Sequence, residues 1–190
     1  SDLALCVQPV PEALLCSNPL SDLDSDLAVQ KLMSRHSLEG TVADWSEGYL
    51  TELTHMMGRR LALIEGAEEG RIRATSPVVT LRMILASKKD GRKKGRLVLQ
   101  GFKEPLEWDL ESNVTPVASM STIRALVFMG GNHDDILSSI DVSVAFLQAD
   151  AYKPGETERF VEYKPYAGGR AYLFKLLGPI YGQRSAPRAW

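Results

Sequence analysis

Cysteine is nearly absent: Cys6 and Cys16 stand ten residues apart, with no Cys-x-x-Cys and no second pair to complete a metal site or a disulfide frame. Two free thiols in a reducing compartment are expected. Histidine is equally sparse. His36, His55 and His133 are scattered and form no His-Glu-x-x-His, which leaves metalloprotease and zinc-finger chemistry without ligands. There is no Gly-x-x-x-x-Gly-Lys-Ser/Thr loop and no nucleophile elbow for a Ser-His-Asp hydrolase. Nor does any apolar run approach the roughly 20 residues of a membrane helix. The N-terminus is acidic rather than basic, so a soluble, intracellular chain without a secretory signal or membrane partner is expected.

What is present is an uneven distribution of charge. The net charge of −2 hides three regions: residues 1–70 hold 4 Lys or Arg against 12 Asp or Glu, residues 71–103 hold 10 against 1, and residues 104–190 hold 8 against 11. The central segment therefore creates a local positive potential able to attract phosphates, although the pI is only about 5.9.

Periodicity divides the chain into helices and strands. The first 20 residues, with three prolines, show no period and read as a linker. Leu23, Leu27, Leu32 and Leu38 predict a helix over 22–37, capped by Ser21 or Asp22. Trp45, Leu50, Leu53, Met57, Leu61 and Ile64 predict a second over 44–64, capped by Asp44 and stopped by Gly66. The period then changes. Residues 77–87 read as a strand, Asp90-Gly91 as a turn and 96–102 as the returning strand of a hairpin with a basic tip. Ser119 or Ser121 caps a helix ended by Gly130-Gly131; a strand follows over 136–142, then a helical turn at 145–147. Residues 160–163 and 172–176 form a strand pair across Gly168-Gly169, and Ser185-Ala186-Pro187 opens a last helix. The fold class is α+β without internal repeats.

Three features can carry chemistry. Asp141 ends an apolar strand, where an unpaired carboxylate would cost several kcal/mol, so it either binds a cation such as magnesium or caps the turn that follows. Lys88, Lys89, Arg92, Lys93, Lys94 and Arg96 fall within nine residues. Strand alternation puts Lys94 and Arg96 on one face, fit to grip a triphosphate or follow a nucleic-acid backbone, unless the tip is simply solvated. Finally, Gly178 to Arg188 is a small-residue turn leading to a helix N-terminus, with Tyr181 as a flat surface for a base or sugar; such turns also serve as plain connections.

In order, these segments resemble the reverse transcriptase domain of copia-type (Ty1/copia) retrotransposon polyproteins. Lys94-Gly95-Arg96-Leu97-Val98-Leu99-Gln100-Gly101-Phe102 is similar to that family's Lys-Ala-Arg-Leu-Val-x-x-Gly-Phe. Residues 114–124, containing Thr115-Pro116-Val117 and Thr122-Ile123-Arg124, resemble its Phe-Ser-Pro-Val-x-x-x-x-Thr-Ile-Arg. Ile140-Asp141-Val142-Ser143-Val144-Ala145-Phe146-Leu147 resembles Leu-Asp-Val-Lys-x-Ala-Phe-Leu, and residues 177–190 resemble Ser-Leu-Tyr-Gly-Leu-Lys-Gln-Ala-Pro-Arg-x-Trp. The departures are Gly95 for Ala, Ser143 for Lys, and Gln183-Arg184-Ser185 for Leu-Lys-Gln.

The resemblance implies a partial right-hand polymerase: residues 71–190 as fingers and the first part of the palm, behind an acidic, partly helical flank over 1–70 of unknown role. It implies an RNA-directed DNA polymerase, a nucleotidyltransferase working with two magnesium ions roughly 3.5–4 Å apart on template-primer and deoxynucleoside triphosphates. Asp141 and the Val142 carbonyl would bind metal; Lys94 and Arg96 would hold the triphosphate; Phe146 would face the sugar; Tyr181 and Gly182 would line the pocket; Arg92 and Lys93 would meet nucleic acid. The family's Tyr-x-Asp-Asp is not found within these residues, so the rest of the polyprotein is expected beyond Trp190 and the fragment is expected to be inactive. A non-catalytic nucleic-acid-binding module and a decayed element are the alternatives.

Overall fold

The computed structural model of the chain describes residues 20, 22–108, 118–133, 138 and 145–186. Helix α1 is Ser25–His36 and α2 is Val42–Met57; strand β1, Leu61–Ile64, leads to α3, Ala67–Thr75. The hairpin β2 (Val78–Ser87) and β3 (Lys93–Leu99) follows, then α4 (Met120–Asn132), β4 (Phe160–Tyr163) and β5 (Tyr172–Leu176). The α+β class is as expected. The five strands form one sheet in the order β1-β5-β4-β2-β3, with β2 and β4 parallel and the other pairs antiparallel.

The larger hydrophobic core joins α1 and α2 to the sheet, and a smaller cluster packs Ile72 of α3 against Ile64, Phe160 and Leu173. Ala28, Val29 and Leu32 of α1 and Trp45, Tyr49, Leu53 and Met56 of α2 pack with Val79, Leu81 and Met83 of β2 and with Leu97 and Leu99 of β3. Deep in the larger core the Tyr49 and Tyr163 hydroxyls share a hydrogen bond of 2.9 Å, one donating and the other accepting, so each buried oxygen has a partner. Among the described residues no helix is long and apolar enough to cross a membrane.

Several expected boundaries move. Asp24 caps α1, its side chain accepting from the Leu27 N–H, while Asp22 instead pairs with Arg170 and Tyr172. Thr41 caps α2, and Asp44 is its reciprocal partner three residues on, completing a capping box. The buried face of α2 runs Trp45, Tyr49, Glu52, Leu53 and Met56, leaving Leu50 45% exposed. α2 stops at Met57, because Leu61–Ile64 leaves the helix to pair with β5. Leu61 and Ile64 are buried at both ends of a four-residue strand, a spacing of three that also fits a helix, so tertiary pairing decided what period could not. Gly66, at φ 69°, opens α3 rather than ending α2; with only Ile72 buried, α3 has too thin a stripe to read from sequence.

The hairpin turn is at Asp90-Gly91 as expected, but β3 spans Lys93–Leu99 and not 96–102. The chain turns away because Gly101 meets the backbone of Gly182: a Cβ on Gly101 would lie 2.2 Å from the Gly182 oxygen. Phe102 is left 82% exposed on a 3₁₀ turn. Ser119 caps α4, which continues through Gly130 and Gly131 to Asn132. Glycine costs about 1 kcal/mol there relative to alanine, too little to end a helix whose hydrogen bonds still close. A 3₁₀ turn occupies Ala145–Gln148. The strand expected over 136–142, apart from Ser138, and the helix expected to open at Ser185-Ala186-Pro187, beyond Ala186, lie outside the described residues.

Candidate functional site

Strand β3 is the sheet's edge, and its alternation decides which cations face outward. Gly95, Leu97 and Leu99 are buried, while Lys94, half-buried, and Arg96, exposed, share the opposite face, as expected. An edge strand leaves backbone groups unpaired, and two other chain segments take up two of its N–H groups. The Leu97 N–H donates to Glu52 Oε1 at 2.9 Å, and the Leu99 N–H donates to the Tyr181 carbonyl at 2.7 Å.

The second contact brings two distant motifs together. The Arg96 guanidinium lies 5.7 Å from the centre of the Tyr181 ring, a cation over an aromatic face. Gly182, at φ 83°, follows the chain so closely past β3 that a Cβ would sit 2.3 Å from the Leu99 oxygen. Burial raises the Tyr181 hydroxyl above its ordinary pKa, and the nearby Glu52 carboxylate adds to the rise, so the ring is neutral at physiological pH.

The remaining candidates are placed differently. Arg92 folds back on Asp90 at 2.6 Å within the turn. Lys93 points the other way from Lys94: its ammonium lies 4.8 Å from the Trp45 ring centre and donates to Ser87 Oγ at 3.3 Å. Phe146 lies in the 3₁₀ turn, but its side chain is not among those described. Asp141 and Val142 lie outside the described residues. Among the described residues no group of three His, Cys, Asp or Glu side chains could hold a metal ion.

Two residues of the acidic flank enter this region unannounced. Glu52 is buried, and desolvation raises its carboxyl pKa against the opposing pull of the Leu97 N–H, Lys94, His55 and Arg96. Its signal was available: a carboxylate at the 45, 49, 52, 56 spacing falls on the apolar face of α2. Arg60 gave no such signal. It is buried, donates to the Ala149 carbonyl at 2.5 Å, and fills the space where a Cβ on Gly178 would stand.

Residues 183–184 have structural partners of their own. Buried Gln183 accepts from the Tyr152 hydroxyl at 2.9 Å, and Arg184 binds Glu104 through its backbone N–H at 2.9 Å and its guanidinium at 2.6 Å.

A basic hairpin, a stacked aromatic and a glycine-tight turn thus meet at one sheet edge. The chain belongs to the reverse transcriptase (RNA-dependent DNA polymerase) family, whose sequence model matches residues 71–190. It is 32% identical over 117 residues to the Retrovirus-related Pol polyprotein from transposon TNT 1-94 of Nicotiana tabacum, covering 57% of this chain and 8% of that protein. It is 29% identical over 103 residues to the corresponding polyprotein from transposon RE1 of Arabidopsis thaliana, covering 52% of this chain and 7% of that protein. The chain thus spans less than a tenth of the length of these relatives, and the retrotransposon resemblance read from the four motifs holds. No solved structure matches it.

Proposed function

We propose that this region works in a copia-type RNA-directed DNA polymerase that adds deoxynucleotides to a primer paired with an RNA or DNA template. Residues 71–190 are read as the fingers and first part of the palm of a right hand. The observation that carries the reading is the meeting of Arg96 with Tyr181 across 85 residues of chain, because it joins two of the four motifs into one face. On that face Lys94 and Arg96 hold the triphosphate by charge-assisted hydrogen bonds. Tyr181 and Gly182 present a flat ring and an open backbone to the nucleotide, and Phe146 packs against its sugar. Arg92 and Lys93 follow the nucleic-acid backbone.

Asp141 and the carbonyl of Val142 offer hard oxygen donors of the kind magnesium takes. The chemistry supplied by two bound ions is activation of the primer hydroxyl and neutralisation of the leaving pyrophosphate. One carboxylate and one carbonyl are too few for two ions, so the reading places further carboxylates in a Tyr-x-Asp-Asp segment outside residues 1–190.

Primer extension tests this. Residues 1–190 alone are expected to extend no primer, whereas a polypeptide continuing through a Tyr-x-Asp-Asp segment extends one in magnesium. Asp141→Asn abolishes that extension, and Lys94→Ala with Arg96→Ala raises the KM for deoxynucleotide at least about tenfold, as loss of charged phosphate contacts requires. A folded, extended polypeptide that stays inactive, or an active one indifferent to Asp141→Asn, overturns the proposal.

A further inference from the structure

A second cluster of cations lies on the other side of β2. β4 ends at Tyr163, but β2 continues past its pairing with β4, leaving a free stretch of edge beside the last turn of α1. There a cavity of about 320 Å³ is lined by Arg35 of α1, Arg82 of β2 and Lys164 just after β4, with Thr80 and Gln100 as further polar groups. The space is ample for a phosphate group with part of its sugar, near the lower bound of about 300 Å³ for ligand sites.

The charges there are uncompensated. Arg71, Arg73, Arg92, Arg170 and Arg184 each lie within reach of a carboxylate. Among the described residues Arg35, Arg82 and Lys164 have no such partner; the Arg82 guanidinium has only the His36 ring nitrogen at 3.5 Å. That ring accepts one N–H and leaves the rest of the guanidinium fork open. Three exposed cations from three separate elements line one groove, an arrangement that suits an anion. The carbonyl end of α1 opposes an anion only weakly, as partial charges against three full ones.

We infer that this groove binds a backbone phosphate of a nucleic-acid strand, through residues of which one, Arg35, lies in the flank outside the family match. The site rests on the polymerase reading for its choice of ligand. A strand is favoured over a free nucleotide by the register of the hairpin. Arg82 pairs with Val98, Ile84 with Arg96 and Ala86 with Lys94, so the two basic clusters are joined along one strand. At about 3.4 Å per residue, Arg82 and Ala86 are roughly 14 Å apart. A polynucleotide spans that distance with several phosphates, and a single phosphate does not.

Anisotropy of a short fluorescent oligouridylate, titrated with the whole chain at several salt concentrations, tests the inference. Replacing Arg35, Arg82 and Lys164 together by Ala weakens binding at least about tenfold and reduces the salt slope by about 2, the value for three single-strand phosphate contacts. A control replacing Arg71, Arg124 and Lys153 weakens it less than about threefold, since scattered charges act only at long range. Arg35→Lys with Arg82→Lys keeps the charge and binds like the parent chain, and an unchanged melting curve excludes misfolding. If the triple variant binds like the parent, or the control loses as much, the inference fails. Should Lys94→Ala with Arg96→Ala alone remove binding, the groove is excluded and the proposed function stands; if neither set matters, both fall. Binding of dTTP that is lost only in the groove variant overturns the assignment to a strand.

Discussion

Gly95 on β3 lies directly under Gly48 on α2, so close that a Cβ on Gly95 would stand 2.7 Å from the Gly48 carbonyl oxygen. The converse contact is as tight, 2.7 Å from a Cβ on Gly48 to the Lys93 oxygen. Gly95 is also a departure from the family motif, which has Ala there. A physical reason is now visible: the flank helix α2, outside the family match, needs the room.

Restoring the motif residue should therefore harm this chain. Both atoms in the contact are backbone, and neither can move aside cheaply, so Gly95→Ala is expected to destabilise by about 1–3 kcal/mol. Gly70→Ala is the contrast: it sits in α3 with nothing within 4 Å of an added Cβ and should stabilise by up to about 1 kcal/mol. Urea denaturation of the two variants measures the difference, and a Gly95→Ala chain as stable as the parent would show that α2 does not pack as described.

Glu52 gives a second test of the same junction. Its carboxylate is buried at a desolvation cost but satisfies the Leu97 N–H. Glu52→Gln keeps an acceptor oxygen without the charge and is expected to be neutral or slightly stabilising. Glu52→Ala strands the Leu97 N–H and costs about 1–3 kcal/mol. The ordering Gln above Ala, read from denaturation midpoints, is the outcome that matters; equal losses would mean that the charge itself is needed.

The Tyr49 and Tyr163 pair sets an alkaline limit. Burial pushes the Tyr49 hydroxyl up to about 12 from 10.0 and holds Tyr163 well above that ordinary value. A raised folded-state pKa means stability that is complete below pH 10 and lost as pH climbs, because the unfolded chain ionises first. Melting temperature is expected to fall steeply between about pH 10 and 12. The drop should shrink when both residues are Phe, a variant that leaves no hydroxyl unpaired. Tyr49→Phe alone abandons one buried O–H and is the less stable choice at pH 7.

Much of this was written in local sequence. The hairpin turn at Asp90-Gly91, the pairing across Gly168-Gly169 and the cap at Ser119 follow from short-range chemistry, and strand alternation alone placed Lys94 beside Arg96. What was hidden depends on contacts between distant segments. Leu61–Ile64 has a spacing that suits helix or strand, and only the β5 edge chooses. The early end of β3 is set by Gly182, 83 residues beyond Leu99, and the burial of Arg60 by Gly178 and Ala149, none of which leaves a local trace.

Gly182 offers the sharpest test of the candidate site. It has φ 83° and would drive a Cβ to 2.3 Å from the Leu99 oxygen, whereas Gly168, at φ 86°, has nothing within 4 Å. Alanine at either position pays the cost of a left-handed backbone, about 1 kcal/mol. Only Gly182→Ala must also push the turn off β3, breaking the hydrogen bond from Leu99 to Tyr181 and moving the ring from Arg96. The comparison removes the strain common to both. Gly182→Ala is expected to melt at a lower temperature than Gly168→Ala and, well below either transition, to bind dTTP at least about tenfold more weakly, as loss of more than one ligand contact implies. Equal dTTP affinity in the two variants would separate the turn from nucleotide binding and leave it a structural clasp on the sheet edge.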